Sequence, residues 1–212
     1  MNRWPAVYAI LGGVSYAAVH LAIETAFPDH WSGSPDRLLG ISYAGWSRLL
    51  WVPSALLLSG LVGIYRHVAH ALGRLGKWGF RLAAAGFILE IAGGVIEFWI
   101  FGLLLVPFSG DFVTGSAGSN FGYTIASLGT LSGILGLVLF GIACLRAALP
   151  TPWRVLPLLI GLAGLSIFPL FFMELIAFHF IFYGLGWMAA GYFLRRGSPQ
   201  RAMQLLKTEL ET

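Results

Sequence analysis

Charge is scarce in this chain, and cysteine scarcer. Lysine, arginine, aspartate and glutamate together make up 10% of its 212 residues. A soluble domain draws about a quarter of its residues from those four types, so the shortfall excludes an ordinary water-soluble fold. The lone cysteine, Cys144, excludes an internal disulfide and any CxxC metal or redox motif. No HExxH or ExxH spacing occurs, which removes the usual helical metal signatures. Ser54, Ser59 and Ser132 have no GxSxG around them and no triad partner in sight, so serine hydrolysis has no support.

In place of charge the chain carries apolar mass. Hydrophobic residues make up 58% of it and the mean hydropathy is +0.80. Successive stretches of about 20 residues, long enough for a ~30 Å hydrocarbon core, are apolar on every side. The expected fold is an all-α integral membrane protein, a bundle of six transmembrane helices. The spans are read at residues 5–27, 47–66, 79–107, 122–146, 153–173 and 175–194, within a membrane domain of residues 1–197. Only 43 residues run from Trp153 to Arg195 inclusive, so the turn between spans five and six, near Pro169 to Glu174, must be tight, or one of the pair kinked or re-entrant. The first span is too long for a signal-peptide core and is expected to be retained. Residues 198–212 read as a short cytoplasmic amphipathic tail with Met203, Leu206 and Leu210 on its apolar side.

The basic balance, a net charge of +4, is a topology signal rather than a sign of nucleic acid. Eleven lysines and arginines fall on one side of the predicted spans and two, Arg37 and Arg48, on the other. That asymmetry puts both termini inside, in what reads as a bacterial cytoplasmic membrane. The odd spans share a tryptophan followed by a glutamate: Trp4 and Glu24, Trp78 and Glu97, Trp153 and Glu174. The even spans share a glycine shortly before an arginine, at Gly63 and Arg66, Gly141 and Arg146, and Gly191 and Arg195. This pattern suggests three helical hairpins in a parallel repeat. Interfacial tryptophans and inner-side arginines are common in any membrane protein, and they account for the pattern without duplication.

The stretch "ILEIAGGVIEFW" sets two carboxylates, Glu90 and Glu97, inside an otherwise apolar span. Seven residues turn a helix through nearly two revolutions, so both project from one face about 10 Å apart. Each ionised carboxylate costs roughly 2.5–3.5 kcal/mol at membrane depth, against roughly 4–8 kcal/mol returned by the Leu, Ile, Val and Phe around it. The helix can insert if that face meets protein or water, or if a carboxyl keeps its proton. Topology carries His20 and Glu24, and Glu174 and His179, toward the same level, with Tyr123, Thr124, Ser127 and Thr130 on span four. Glu90, Glu97, Glu24, His20, Glu174 and His179 are therefore the candidate ligand-binding residues.

Each has a plainer reading. Glu24 and Glu174 can be interfacial residues wetted by headgroups. His20 and His179 can hydrogen-bond a neighbouring helix. Glu90 lies deepest and has no counterpart in the other hairpins, which favours function there. His67 and His70 lie in a basic stretch at the inner end, and Gly129, Gly133 and Gly136 form a stripe that close helix packing explains.

The leading functional expectation is a membrane binding or transport protein with an outward-facing acidic cavity for a cation, a proton or a small polar ligand. In length and helix count the chain is broadly similar to the substrate-binding subunits of bacterial vitamin importers, an analogy of architecture alone. The alternative is a non-catalytic accessory subunit of a larger membrane complex, or a homo-oligomer, in which the glutamates only lock helices together. Third comes an enzyme using the Glu/His set with a metal or a lipid. No cofactor is named by any motif, and the expected surroundings are the lipid bilayer, not nucleic acid.

Overall fold

A computed structural model describes residues 3–27, 37–101 and 117–196. The chain forms α1 (Trp4–Ala26), a two-residue hairpin of β1 (Arg37–Leu38) and β2 (Ile41–Ser42), the short α2 (Tyr43–Ser47) and α3 (Trp51–Val68). After a 3₁₀ turn at Ala69–Ala71 come α4 (Arg74–Val95), a π-helical segment at Ile96–Phe101, α5 (Ala117–Arg146), α6 (Thr151–Leu165), α7 (Ile167–Phe172) and α8 (Ile176–Arg196). Among the described residues, six helical stretches are long and apolar enough to cross a membrane: Trp4–Ala26, Gly45–Ala71, Arg74–Ile100, Asn120–Arg146, Thr151–Phe172 and Ile176–Arg196. The third begins earlier than its apolar run because the polar turn Arg74–Lys77 is already helical. The amphipathic tail at 198–212 lies outside the described residues, as does most of the second polar loop.

The helices close into a ring. Each packs on its chain neighbour, α1 on α3, α3 on α4, α4 on α5, α5 on α6 and α6 on α8, and α8 returns to α1. Small residues let these neighbours approach antiparallel. Gly60 and Gly63 of α3 lie against Ala9 and Pro5, Gly184 against the Gly13 carbonyl, and Gly141 of α5 against Leu158. Such close approach is how helices associate where lipid removes the hydrophobic drive. Leu57, Leu61, Leu137, Phe140, Ile160 and Trp187 fill the interior, while Leu11, Ile88, Leu135, Leu159 and Leu185 face outward. An apolar core inside an apolar outside is compatible with a multi-pass membrane protein and would be a liability in water.

The tightest seam joins α4 to α5. A Cβ built on Gly79, Gly86 or Gly93 would strike the backbone of Phe140, Gly133 or Ala126, and one built on Gly136, Gly129 or Gly122 would strike the backbone of Ala83, Glu90 or Glu97. Both helices therefore repeat every seven residues, in opposite directions. A seven-residue period holds one seam against a neighbour over several turns. Glu90 on α4 and Glu97 on the π-helical segment occupy the position that Ala83 holds one and two repeats earlier.

The connection between the fifth and sixth spans is tight and kinked. Pro169 has no N–H to give the Leu165 carbonyl, and the helix breaks at Ser166. After α7 the chain turns through Glu174 in the left-handed region, at φ 57°. The Leu175 N–H reaches the Leu170 carbonyl at 2.8 Å and the Glu174 N–H the Phe171 carbonyl at 3.2 Å, the paired bonds of a Schellman cap. Glycine is the residue this position favours. Glu174→Gly is expected to raise stability by about 1 kcal/mol, read as a higher unfolding midpoint in detergent; a lower midpoint would assign the glutamate a role its exposed position does not suggest.

The three entry tryptophans are not equivalent. Trp4 and Trp78 are exposed, with the Arg81 guanidinium 5.1 Å over the Trp78 ring, whereas Trp153 is buried with its ring 4.6 Å from that of His67. Nor do the exit glycines match. Gly63 meets the partner helix of its own hairpin, while Gly141 and Gly191 meet the next one.

Candidate functional site

Polar groups gather at two levels of the bundle. The deeper level surrounds Glu90, four turns along α4. Its Oε1 accepts a hydrogen bond from the Ser54 hydroxyl of α3 at 2.8 Å. Ser54 is almost fully buried, so this bond satisfies a hydroxyl that would otherwise stand in an apolar interface. On its other side Glu90 lines a cavity of about 20 Å³, together with Tyr16 of α1, Thr130 of α5, and His179 and Tyr183 of α8. Phe87, Gly133 and Ile134 complete the wall. A polar space of that size takes one water molecule and not a larger ligand.

His179 is held from three sides. Its Nδ1 lies 3.0 Å from the Ala163 carbonyl and 3.2 Å from the Ser166 hydroxyl, and its Nε2 lies 3.4 Å from the Tyr16 hydroxyl. A carbonyl can only accept, so Nδ1 carries the hydrogen, and the Nε2 lone pair is left to accept from Tyr16. The Ser166 hydroxyl donates its own hydrogen to the Ala163 carbonyl at 2.7 Å, which leaves its oxygen to accept from Nδ1. Around it stand stacked and edge-on rings: Tyr16 and Tyr183 at 4.9 Å, His179 and Tyr183 at 5.7 Å, Tyr16 and His20 at 4.1 Å, and His20 and Phe180 at 4.8 Å. His20 donates its Nδ1 hydrogen to its own helix at the Tyr16 carbonyl, 2.8 Å away, and so meets the cavity only through Tyr16.

The second level lies toward the end opposite Arg66, Arg74, Arg146 and Arg195. Glu97, on the first turn of the π-helical segment, is buried and faces Gly122. Glu97 and Glu24 both come close enough to Tyr43 to act on its hydroxyl. Burial first, then these two carboxylates, push the Tyr43 hydroxyl above its ordinary value, while Ser47 beside it works in the opposite direction. Arg48 donates its Nε hydrogen to the Phe98 carbonyl at 3.2 Å, and the Trp99 indole donates to the Arg48 carbonyl at 3.1 Å, which ties the π-helical segment to the turn before α3. π-turns widen a helix and recur at functional positions.

Of the six candidate residues, then, Glu90 and His179 share one cavity, and His20 packs behind it. Glu24 and Glu97 both approach Tyr43 at the second level, and Glu174 is exposed at the α7–α8 turn. Among the described residues no three His, Cys, Asp or Glu side chains stand together as a metal site. Sequence reading missed Tyr16 and Tyr183. A signal was available, because each lies four residues from a candidate histidine, Tyr16 before His20 and Tyr183 after His179, and so on the same helix face. No family model matches the chain, and neither a curated protein nor a solved structure is significantly similar to it.

Proposed function

We propose that this is a membrane binding or transport protein in which Glu90 takes up and releases a proton, the coupling step for movement or binding of a cation or small polar molecule. The observation that carries this reading is the cavity. A carboxyl at the depth of Glu90, with a water-sized space on one side and the Ser54 hydroxyl on the other, can hold its proton or surrender it to a hydroxyl or water, whereas the space has no room for a larger ligand. A deep titratable carboxyl lined by proton donors and acceptors is what membrane proton carriers need.

The finer topology goes with this reading. The end bearing Arg66, Arg74, Lys77, Arg146 and Arg195 faces the cytoplasm, with both termini inside, by the same charge asymmetry. The closed ring of three hairpins supports a threefold repeat in outline, while the unequal tryptophans and glycines restrict any such repeat to the order of the helices.

The test is proton release by the purified protein in detergent, followed with a pH-indicator dye over a full titration. Above the range in which ordinary carboxylates ionise, wild type is expected to release about one proton per chain more than Glu90→Gln, and Glu97→Gln to lose none of that step. Equal release by wild type and Glu90→Gln would overturn the proposal.

The Ser54–Glu90 bond favours a second reading, the accessory subunit, in which Glu90 is a strut between α3 and α4. Glutamine keeps the accepting oxygen. A pure strut therefore survives Glu90→Gln with proton release unchanged and with much larger subunits co-purifying after gentle extraction.

A further inference from the structure

We propose that Glu90 and His179 share one proton through Tyr16 and a single water in the cavity between them, which makes His179 a second proton-carrying station. This rests on the reading of Glu90 above. The geometry supplies each link. The Nδ1 hydrogen of His179 is committed to the Ala163 carbonyl and the Ser166 hydroxyl, so the one open position on the ring is the Nε2 lone pair. Facing it is the Tyr16 hydroxyl, at 3.4 Å. Tyr16 and Glu90 line the same cavity, which is sized for one water. A water there can accept from the Glu90 carboxyl and donate to the Tyr16 oxygen.

The transfer balances without any other reactant. The O–H bond of the Glu90 carboxyl breaks as its proton passes to the water. The water gives one of its own protons to the Tyr16 oxygen, and the Tyr16 hydrogen passes to Nε2 of His179, where a new N–H bond forms. No electrons are gained or lost. Water and tyrosine end as they began, Glu90 becomes a carboxylate, and His179 becomes an imidazolium. Both charged products already have partners. The carboxylate accepts from Ser54, and the imidazolium donates through Nδ1 to Ala163, and charge-assisted bonds of this kind are the stronger ones.

The other polar groups turned toward this path are already bonded or only border it. On α1, His20 spends its Nδ1 hydrogen on its own helix. On α5, the Thr130 hydroxyl donates to the Ala126 carbonyl at 3.1 Å. On α8, Tyr183 stacks on the His179 ring at 5.7 Å and borders the cavity. α3 contributes Ser54, and the α6–α7 break Ser166.

The experiment is nitrogen-15 NMR of the full chain in lipid bilayers, labelled at the imidazole nitrogens, over a pH titration. His179 is identified by the signal lost in His179→Gln or, if that variant does not fold, by the histidine signal that Ser166→Ala alters. The neutral ring is expected as the Nδ1–H tautomer. At the pH where wild type shows His179 as imidazolium, Glu90→Gln is expected to reduce that population at least tenfold. Tyr16→Phe, which keeps the ring and deletes the hydroxyl, is expected to abolish the dependence on Glu90, so that Tyr16→Phe and the double variant look alike. An Nε2–H tautomer, or a His179 signal that Glu90→Gln leaves in place, would overturn the proposal. The two readings fail separately. Loss of the dye-detected proton in Glu90→Gln with an unchanged His179 signal keeps Glu90 and removes the relay, and an unchanged dye signal with an altered His179 removes the role of Glu90 in net proton release.

Discussion

Gly86→Ala is expected to lower the stability of the folded bundle by about 3 kcal/mol, whereas the same substitution at Gly94, eight residues on in the same helix, is expected to leave it unchanged or slightly higher. The two glycines differ in what a methyl group would meet. At Gly86 it would strike the backbone nitrogen and Cα of Gly133 and come 2.6 Å from the Gly129 carbonyl; at Gly94 there is nothing within 4 Å. A side chain can rotate away from a new methyl, but a helix backbone can yield only if the whole of α4 shifts from α5. At Gly94 the alanine meets open space and gains the higher helix propensity, up to about 1 kcal/mol in water and less in lipid. Reversible unfolding in mixed detergent micelles measures both. If Gly86→Ala unfolded within about 0.5 kcal/mol of wild type, the close seam between α4 and α5 would be the wrong account of these glycines.

The seam also explains why Glu90 and Glu97 cannot be treated as interchangeable. Each stands opposite a glycine of α5, Glu90 against Gly129 and Glu97 against Gly122. One repeat apart, however, they meet different surroundings. Glu90 is on regular helix, within reach of Ser54 and the cavity. Glu97 is on the π-helical segment, where the wider turn re-aims the side chain toward the level of Tyr43 and Glu24. The local path of the backbone separates the pair.

Much of the fold could be read from residues alone. Six apolar runs without polar faces leave few alternatives to six spans, and the short distance from Trp153 to Arg195 already calls for a tight or kinked turn near Pro169 to Glu174. The depth of Glu90 follows from counting along its helix. Less of the site was legible, for physical reasons that differ by residue. Ser54 is an ordinary serine until α3 is known to lie beside α4, because its meaning comes wholly from a neighbour 36 residues away. The Gly129, Gly133 and Gly136 stripe was visible, but its partners Gly79 and Gly86 were not paired with it, since the match depends on an antiparallel register. Glu24, Glu97 and Glu174 look alike when counted from their tryptophans. Counting assumes regular helix, and a π-turn in one case and a broken helix ending in a Schellman cap in another defeat it.

Trp187→Ala should be the most damaging truncation in the interior, at about 3 kcal/mol, the lower end of the range for buried aromatics. Trp187 is fully buried and packs edge-on against Phe87 of α4 and Tyr183 of its own helix, with ring centroids 6.0 and 6.2 Å apart. In lipid the unfolded reference is itself apolar, so the loss comes from missing contacts rather than from water, which sets the lower figure. The consequence for the site is more specific. Phe87 and Tyr183 are both walls of the Glu90 cavity, and removal of the indole behind them lets both relax outward. The enlarged space should admit further water and expose the carboxyl. Labelling by a hydrophobic carbodiimide, with Glu90→Gln as the blank, is expected to be several-fold faster in Trp187→Ala than in wild type, and Trp187→Phe to fall between them. A destabilised protein with unchanged labelling would mean that the tryptophan supports the bundle but not the cavity, and the wall would then have to be held by α5 alone.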